Sequence, residues 1–147
     1  MADQGTEQAR YRRQRPSVRA ARADARALAG KWKHPEIAAE LALLVSEVVT
    51  NAVIHGDAGR GSQVQVTYRL LDDRLRVDVR DAATGRPRIL RPTPLPDELR
   101  EFGRGLTVVA SLAHRWGVIP RVIGKSVWFE VLLGTRVAPD TEQAVFR

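Results

Sequence analysis

The chain of 147 residues contains no cysteine, which excludes disulfides, thiol catalysis and cysteine-ligated metal centres and makes a reducing cytoplasm the default compartment. Its three histidines, His34, His55 and His114, stand singly with no metal-ligand spacing. No uninterrupted apolar run approaches the roughly 18 residues of a membrane span, and the first residues lack the hydrophobic stretch of a secretory signal, so no membrane partner is expected. Low-complexity segments and 20-to-50-residue repeats are lacking too. Aromatic residues make up only 5% of the chain, and no zinc-finger, KH-loop or aromatic RNA-stacking signature is present, so specific nucleic-acid recognition has little to stand on.

What is present is the length of one domain with room for a real core and a net charge of +7 that is unevenly spread. Nine basic residues (Arg10, Arg12, Arg13, Arg15, Arg19, Arg22, Arg26, Lys31, Lys33) against Asp3, Glu7 and Asp24 give residues 1–33 a charge of +6. Such a face suits an acidic protein surface, a second copy of the chain, or a polyanion. The skew of 21 Arg to 3 Lys is one that GC-rich coding produces without selection for binding. Nucleic-acid binding through the basic N-terminus therefore ranks last among the readings.

Residues 1–9 read as a disordered start, and Arg10–Arg15 as a short edge strand ending at Pro16. Ser17 reads as the N-cap of a helix to about Trp32, with Val18, Ala21, Ala25, Leu28 and Ala29 on one stripe. His34-Pro35-Glu36 opens a second helix that stops at Gly56, since proline suits a first turn and an acid there complements the helix dipole. Ile37, Leu41, Leu44, Val45, Val48 and Ala52 form its core stripe, and Glu47 and Asn51, four residues apart, share the neighbouring face. A carboxylate and an amide projecting together offer a base beside an oxygen ligand for a hard cation such as Mg²⁺, or simply a solvated, capped helix end.

A glycine-rich turn over 57–62 precedes two alternating runs, Val64–Leu70 and Leu75–Asp81. With Asp72-Asp73 as a two-residue turn, Leu70 pairs with Leu75, Tyr68 with Val77 and Val66 with Val79 on one face. Asp81 shares the parity of those core residues, so its carboxylate points inward, where it needs a bonding partner, structural or functional. Residues 82–102 hold four prolines and no period. They end in Phe102-Gly103-Arg104-Gly105-Leu106, and Leu106, Val109, Ala110 and Ala113 then mark a helix; glycines opening a helix let backbone amides approach an anion, with Arg104 adding fixed positive charge. Strands at about 116–122 and 126–133 close the fold, and 134–147 read as a tail. Gly124-Lys125-Ser126 is no P-loop, because Ile119 stands where the glycine is needed and a strand follows.

Taken in order, these segments resemble the nucleotide-binding domain shared by gyrase, the large heat-shock chaperone, histidine kinases and mismatch-repair ATPases (the Bergerat fold), in the form of the stand-alone bacterial anti-sigma-factor serine/threonine kinases. Glu47–His55 matches E-x-x-x-N-A-x-x-H, Asp81–Gly85 matches D-x-G-x-G with Ala83 in place of the first glycine, and Gly103–Leu106 matches G-x-G-L. The resemblance covers about residues 36–133. It implies a two-layer α+β sandwich, a mixed, mostly antiparallel sheet covered on one face by helices, within an ATP-binding domain at 10–133 whose lid is 86–102.

By the same resemblance Asn51 binds the Mg²⁺ that bridges the ATP phosphates, Glu47 is the general base, and Asp81 accepts a hydrogen bond from the adenine amino group. Gly85, Gly103, Arg104, Gly105 and Leu106 contact nucleotide, and Ser126 supports the adenine contact. The length leaves no room for a phospho-acceptor or transducer domain. The expected activity is phosphorylation of a Ser or Thr on an antagonist protein, coupled to sequestration of a sigma factor in the cytoplasm, by a chain that could also pair with itself. The alternative is a module that keeps the fold and binds protein partners without transferring phosphate.

Overall fold

The computed structural model describes residues 4–55, 63–81, 108–121 and 124–134. The glycine-rich turn, the lid, Gly85, the segment Gly103–Leu106 and the tail from 135 onward lie outside the described residues. Among the described residues five strands are formed: β1 (Gly5–Arg12), β2 (Gln63–Leu70), β3 (Arg74–Asp81), β4 (Arg115–Pro120) and β5 (Lys125–Leu132). They lie in the order β1-β2-β3-β5-β4, and each neighbouring pair is antiparallel. Among the described residues every strand pair is antiparallel, in keeping with the mostly antiparallel sheet of the expected α+β fold.

The β2–β3 hairpin has the register that the alternation demands, with Leu70 opposite Leu75, Tyr68 opposite Val77 and Val66 opposite Val79. Leu71 N–H donates to the Arg74 carbonyl at 2.9 Å and closes the Asp72-Asp73 turn. Because side chains alternate across a strand, Val64, Val66, Tyr68, Leu70, Leu75, Val77 and Val79 all face one way and are buried. Val127, Phe129 and Val131 of β5 continue that face opposite Val79, Val77 and Leu75.

The helices α1 (Pro16–Lys31) and α2 (Ala38–His55) pack against each other and the sheet. Ala21, Ala25 and Ala29 of α1 are buried, and their small side chains let α2 come close, where Leu41, Leu44, Val45, Val48, Val49, Ala52 and Val53 enter the same core. Fully burying one such Leu or Val contributes about 1.5–3 kcal/mol, so this seam fixes α2 firmly. The helical segment Pro35–Ile54 has a mean hydropathy of 1.8 and is by length and composition alone apolar enough to cross a membrane. The sequence reading expects no such run; here its apolar side is the core, and just over half of the segment is buried.

The N-terminal region differs from expectation in two ways. β1 begins at Gly5 instead of Arg10 and ends at Arg12, so residues 5–9 are strand, paired with 66–70 of β2. As an edge strand it is only half covered: Gly5, Glu7, Ala9 and Tyr11 are partly buried and Thr6, Gln8, Arg10 and Arg12 exposed, which leaves little apolar alternation to read. Ser17 is not the N-cap. Pro16 takes the first helical position and Arg15 the cap, while Ser17 Oγ donates to the Arg12 carbonyl at 2.6 Å and ties the helix start to the end of β1.

On the outer sheet face Glu130 is buried under arginines: Arg74 Nη1 reaches Oε1 at 2.9 Å and Arg76 Nη1 reaches Oε2 at 3.5 Å. Arg76 also lies 4.2 Å from the centre of the Trp128 ring. These contacts satisfy the one carboxylate that β5 buries on that side.

Candidate functional site

Three strand ends and one helix end converge. Arg12 of β1 is opposite Gln63 at the start of β2, and Val64 is opposite Asp81 at the end of β3, so these residues share one end of the sheet. Arg13, next in the chain, donates from Nη1 to the carbonyl of Val53, an acceptor in the last turn of α2 that has no partner within the helix. A guanidinium there also complements the negative end of the helix dipole. Arg13 therefore pins the C-terminal end of α2, which carries Asn51, to the sheet end that carries Asp81. The sequence reading counts Arg13 only as part of a basic patch.

Asn51 is 6% exposed and its Nδ2 makes no hydrogen bond among the described residues. A buried amide with one end unfilled costs free energy that a polar ligand can recover. Glu47, one turn earlier, is half-buried. Its neighbours direct their hydroxyls back into the helix, Thr50 Oγ1 to the Ser46 carbonyl at 2.6 Å and Ser46 Oγ to the Leu43 carbonyl at 3.0 Å. The turn is thus held internally while the carboxylate of Glu47 enters no ion pair among the described residues. A carboxylate and an amide oxygen one turn apart form an incomplete ligand set for a hard cation, and no group of three or more acidic or histidine side chains completes it among the described residues. That suits Mg²⁺, which keeps several waters and takes its remaining oxygens from substrate phosphates.

Asp81 is 2% exposed, and the inward parity read from the sequence is its actual orientation. Beside it runs the start of β5. Gly124 has φ +74, and a Cβ built there would lie 2.3 Å from the Asp81 carbonyl oxygen and 3.3 Å from its Cβ. Only glycine fits so close a backbone approach in that conformation, so the segment before β5 is moulded to the end of β3.

Ser126 does not join Asp81. It pairs with Arg80, and directly opposed residues carry their side chains on the same face, so Ser126 lies on the outer face with Arg80. Its hydroxyl accepts a hydrogen bond from Arg121 Nε at 2.8 Å. The parity of Ser126 relative to Asp81 depends on the register between strands more than forty residues apart, which local alternation does not reveal. Of the candidate residues, Glu47, Asn51 and Asp81 are among the described ones; Gly85, Gly103, Arg104, Gly105 and Leu106 lie outside the described residues. Of the helix expected after Leu106, residues 108–112 are described and helical, with Val109 fully buried in the core.

Comparison with known proteins bears on what such a site does. The chain is 32% identical over 108 residues to the anti-sigma F factor of Shouchella clausii (strain KSM-K16), an alignment that covers 67% of this chain and 72% of that protein. The model of the histidine kinase-like ATPase domain matches residues 12–129, a span that runs from the end of β1 into β5 and holds Glu47, Asn51, Asp81 and Gly124, and the chain accordingly belongs to the histidine kinase-like ATPase domain family.

Proposed function

We propose that the protein is a regulatory ATP-dependent serine/threonine kinase of anti-sigma-factor type, acting in the cytoplasm on two protein partners, a sigma factor that it sequesters and an antagonist that it phosphorylates. The observation that carries this reading is the joining of the Asn51 end of α2 to the Asp81 end of β3, with Glu47 one turn back on the same helix. Membership of an ATPase family implies ATP; the likeness to an anti-sigma F factor supports the choice of partners.

In this reading Asp81 would accept a hydrogen bond from the adenine amino group, and Asn51 would supply an oxygen ligand to a bound Mg²⁺. Gly85, Gly103, Arg104, Gly105 and Leu106 hold the nucleotide, the last four at a helix N-terminus where backbone N–H groups favour an anion. Glu47 takes the proton from the acceptor hydroxyl as its oxygen bonds to the γ-phosphorus and ADP departs with the bridging oxygen. The metal, when bound, neutralises charge on the phosphates. The exposed arginines of α1, Arg19, Arg22 and Arg26, lie at three- and four-residue spacing and suit an acidic protein surface.

Titration calorimetry with ADP, with and without Mg²⁺, tests the nucleotide half of the proposal. Mg²⁺ should strengthen binding to the wild type, and Asn51→Ala should lose that increment while keeping the fold. Binding that ignores Mg²⁺ in both proteins would refute the role of Asn51.

A further inference from the structure

The described helices all contribute to the core on one side of the sheet, so among the described residues the outer face carries no second layer, an arrangement open to antiparallel sheets. The ladder pairs place seven arginines on that face, because directly opposed residues carry their side chains on the same side. Three of them are already neutralised. Arg74, Arg76 and Arg115 surround the buried Glu130, and Arg74 also pairs with Asp73 at 3.0 Å and Arg76 with Asp78 at 3.6 Å. The other four, Arg10, Arg12, Arg69 and Arg80, are exposed and enter no ion pair among the described residues. Seven arginines against three carboxylates leave a surplus of +4 here, more than half of the chain's net charge of +7.

These charges are ordered by the ladder. Arg80 is opposite Gln65, and Gln65 is opposite Arg10, so two guanidinium groups flank an amide in one row, with Arg12 two residues further along β1. Neighbouring strands lie about 4.8 Å apart, which sets the origins of Arg10 and Arg80 roughly 10 Å apart. The same face carries Trp128, whose indole packs against Gly117: a Cβ there would lie 2.7 Å from Nε1. Arg76 lies over the ring, 4.2 Å from its centre, and Leu132 stands exposed opposite Arg74.

Charge and ring access decide which occupant fits. A second copy presenting the same face would set one surplus of +4 against another, which opposes self-pairing. Single-stranded nucleic acid binds by stacking bases on open aromatic rings, and the ring of Trp128 is already covered by Arg76. An acidic protein surface meets neither obstacle. Guanidinium forks donate to carboxylates bidentately, and tryptophan and arginine are the residues enriched where protein interfaces concentrate their binding energy. We propose that the outer sheet face is a docking surface for an acidic protein segment, with Arg10, Arg12, Arg69 and Arg80 meeting its carboxylates and Trp128 and Leu132 its apolar groups. This surface lies across the sheet from the α1 stripe and does not depend on the nucleotide reading.

The probe is a synthetic peptide of alternating glutamate and serine about eight residues long, which spans roughly 26 Å when extended and so crosses all five strands. It is titrated into the full isotope-labelled chain at about 0.15 M salt, where distant surface charges are screened. Affinity is read residue by residue from the amide shifts of the strands and from the indole N–H of Trp128, assigned by its loss in Trp128→Phe. Wild type should show saturable shifts on the outer-face residues, and the same peptide with glutamine for glutamate should produce none. Reversing Arg10, Arg69 and Arg80 to glutamate should weaken the binding read at those residues by at least about tenfold, since each change turns an attraction into a repulsion. Reversing Arg19, Arg22 and Arg26 instead alters the net charge equally and should leave it within about threefold, as sites far apart act independently. Wild type without saturable outer-face shifts overturns the proposal with no variant involved. An equal loss in the two reversed variants overturns it as well, and so does a short DNA duplex that engages the same residues more tightly than the peptide at this salt, which would assign the face to a polyanion.

Discussion

Gly124→Ala is the substitution for which the structure sets the largest cost at the smallest chemical change. The residue sits at φ +74, where a side chain costs about 1–2 kcal/mol. The added Cβ would also meet the Asp81 carbonyl oxygen at 2.3 Å. That atom is backbone in a paired strand and cannot rotate aside, so β3 or β5 must shift, with an overpacking cost of about 1–3 kcal/mol. Together these destabilise the fold by roughly 2–5 kcal/mol, which for a domain of this size lowers the melting temperature by roughly 8–20 °C. The shift occurs at Asp81, so nucleotide affinity should fall as well. Thermal melting followed by circular dichroism, and ADP calorimetry below the melting range, measure both effects. A Gly124→Ala variant whose melting temperature stays within about 2 °C of wild type, against the shift expected for such a cost, and which binds ADP normally, would refute the close packing of the β5 start on the Asp81 strand end.

Asp81→Asn should leave the melting temperature little changed and weaken ADP binding by at least about tenfold, the usual loss for one charge-assisted hydrogen bond in a buried site; unchanged affinity in calorimetry would remove the adenine assignment. The chain has two tyrosines, and both phenols have their pKa raised above the ordinary 10.0: burial is the larger cause in each, assisted in Tyr11 by its hydrogen bond to Asp24 and in Tyr68 by the charge of Asp24. A raised pKa means that the neutral phenol is favoured in the folded state, so its stabilisation is complete below about pH 10 and declines as the pH rises above that value. Tyrosinate absorbance should therefore appear together with the loss of far-ultraviolet dichroism, and titration of either tyrosine near pH 10 in a folded protein would contradict the packing under α1. Reversing Arg19, Arg22 and Arg26 to glutamate should abolish association with a protein partner, a candidate sigma factor or a second copy of the chain, in a pull-down while ADP affinity stays within about twofold. Sequence-selective nucleic-acid binding that survives about 0.15 M salt, lost in the same variant, would show that this stripe serves a polyanion instead.

How much was legible in the sequence follows from how local each determinant is. The core stripe of α2 and the β2–β3 hairpin were readable because their periods are complete within one segment, and the inward direction of Asp81 followed from counting parity along a single strand. Glu47 and Asn51 were legible as a pair because four residues is one helical turn. Ser126 was not, since which way it faces depends on the pairing of β5 with β3. β1 escaped between Gly5 and Ala9 because an edge strand half-covered on one side needs few apolar residues. Ser17 has the chemistry of a cap, but Pro16 before it has the fixed φ that begins a helix, so the hydroxyl was left free to bind the Arg12 carbonyl. Arg13 looked like one more arginine in a basic run; only the folded chain reveals that it holds the end of α2.

The central claim is that this site transfers phosphate to a protein, with Glu47 as the base. Its most direct test is incubation of wild type and Glu47→Gln with γ-labelled ATP, Mg²⁺ and candidate antagonist proteins, with ADP affinity measured beside it. Label should pass to a serine or threonine of the antagonist with wild type, and Glu47→Gln should bind Mg·ADP within a few fold yet transfer about 10² or more slowly, the scale of general-base catalysis. Equal transfer by the two proteins would contradict the role of Glu47, and nucleotide binding without any transfer by wild type would contradict the kinase reading, leaving a nucleotide-dependent binding module.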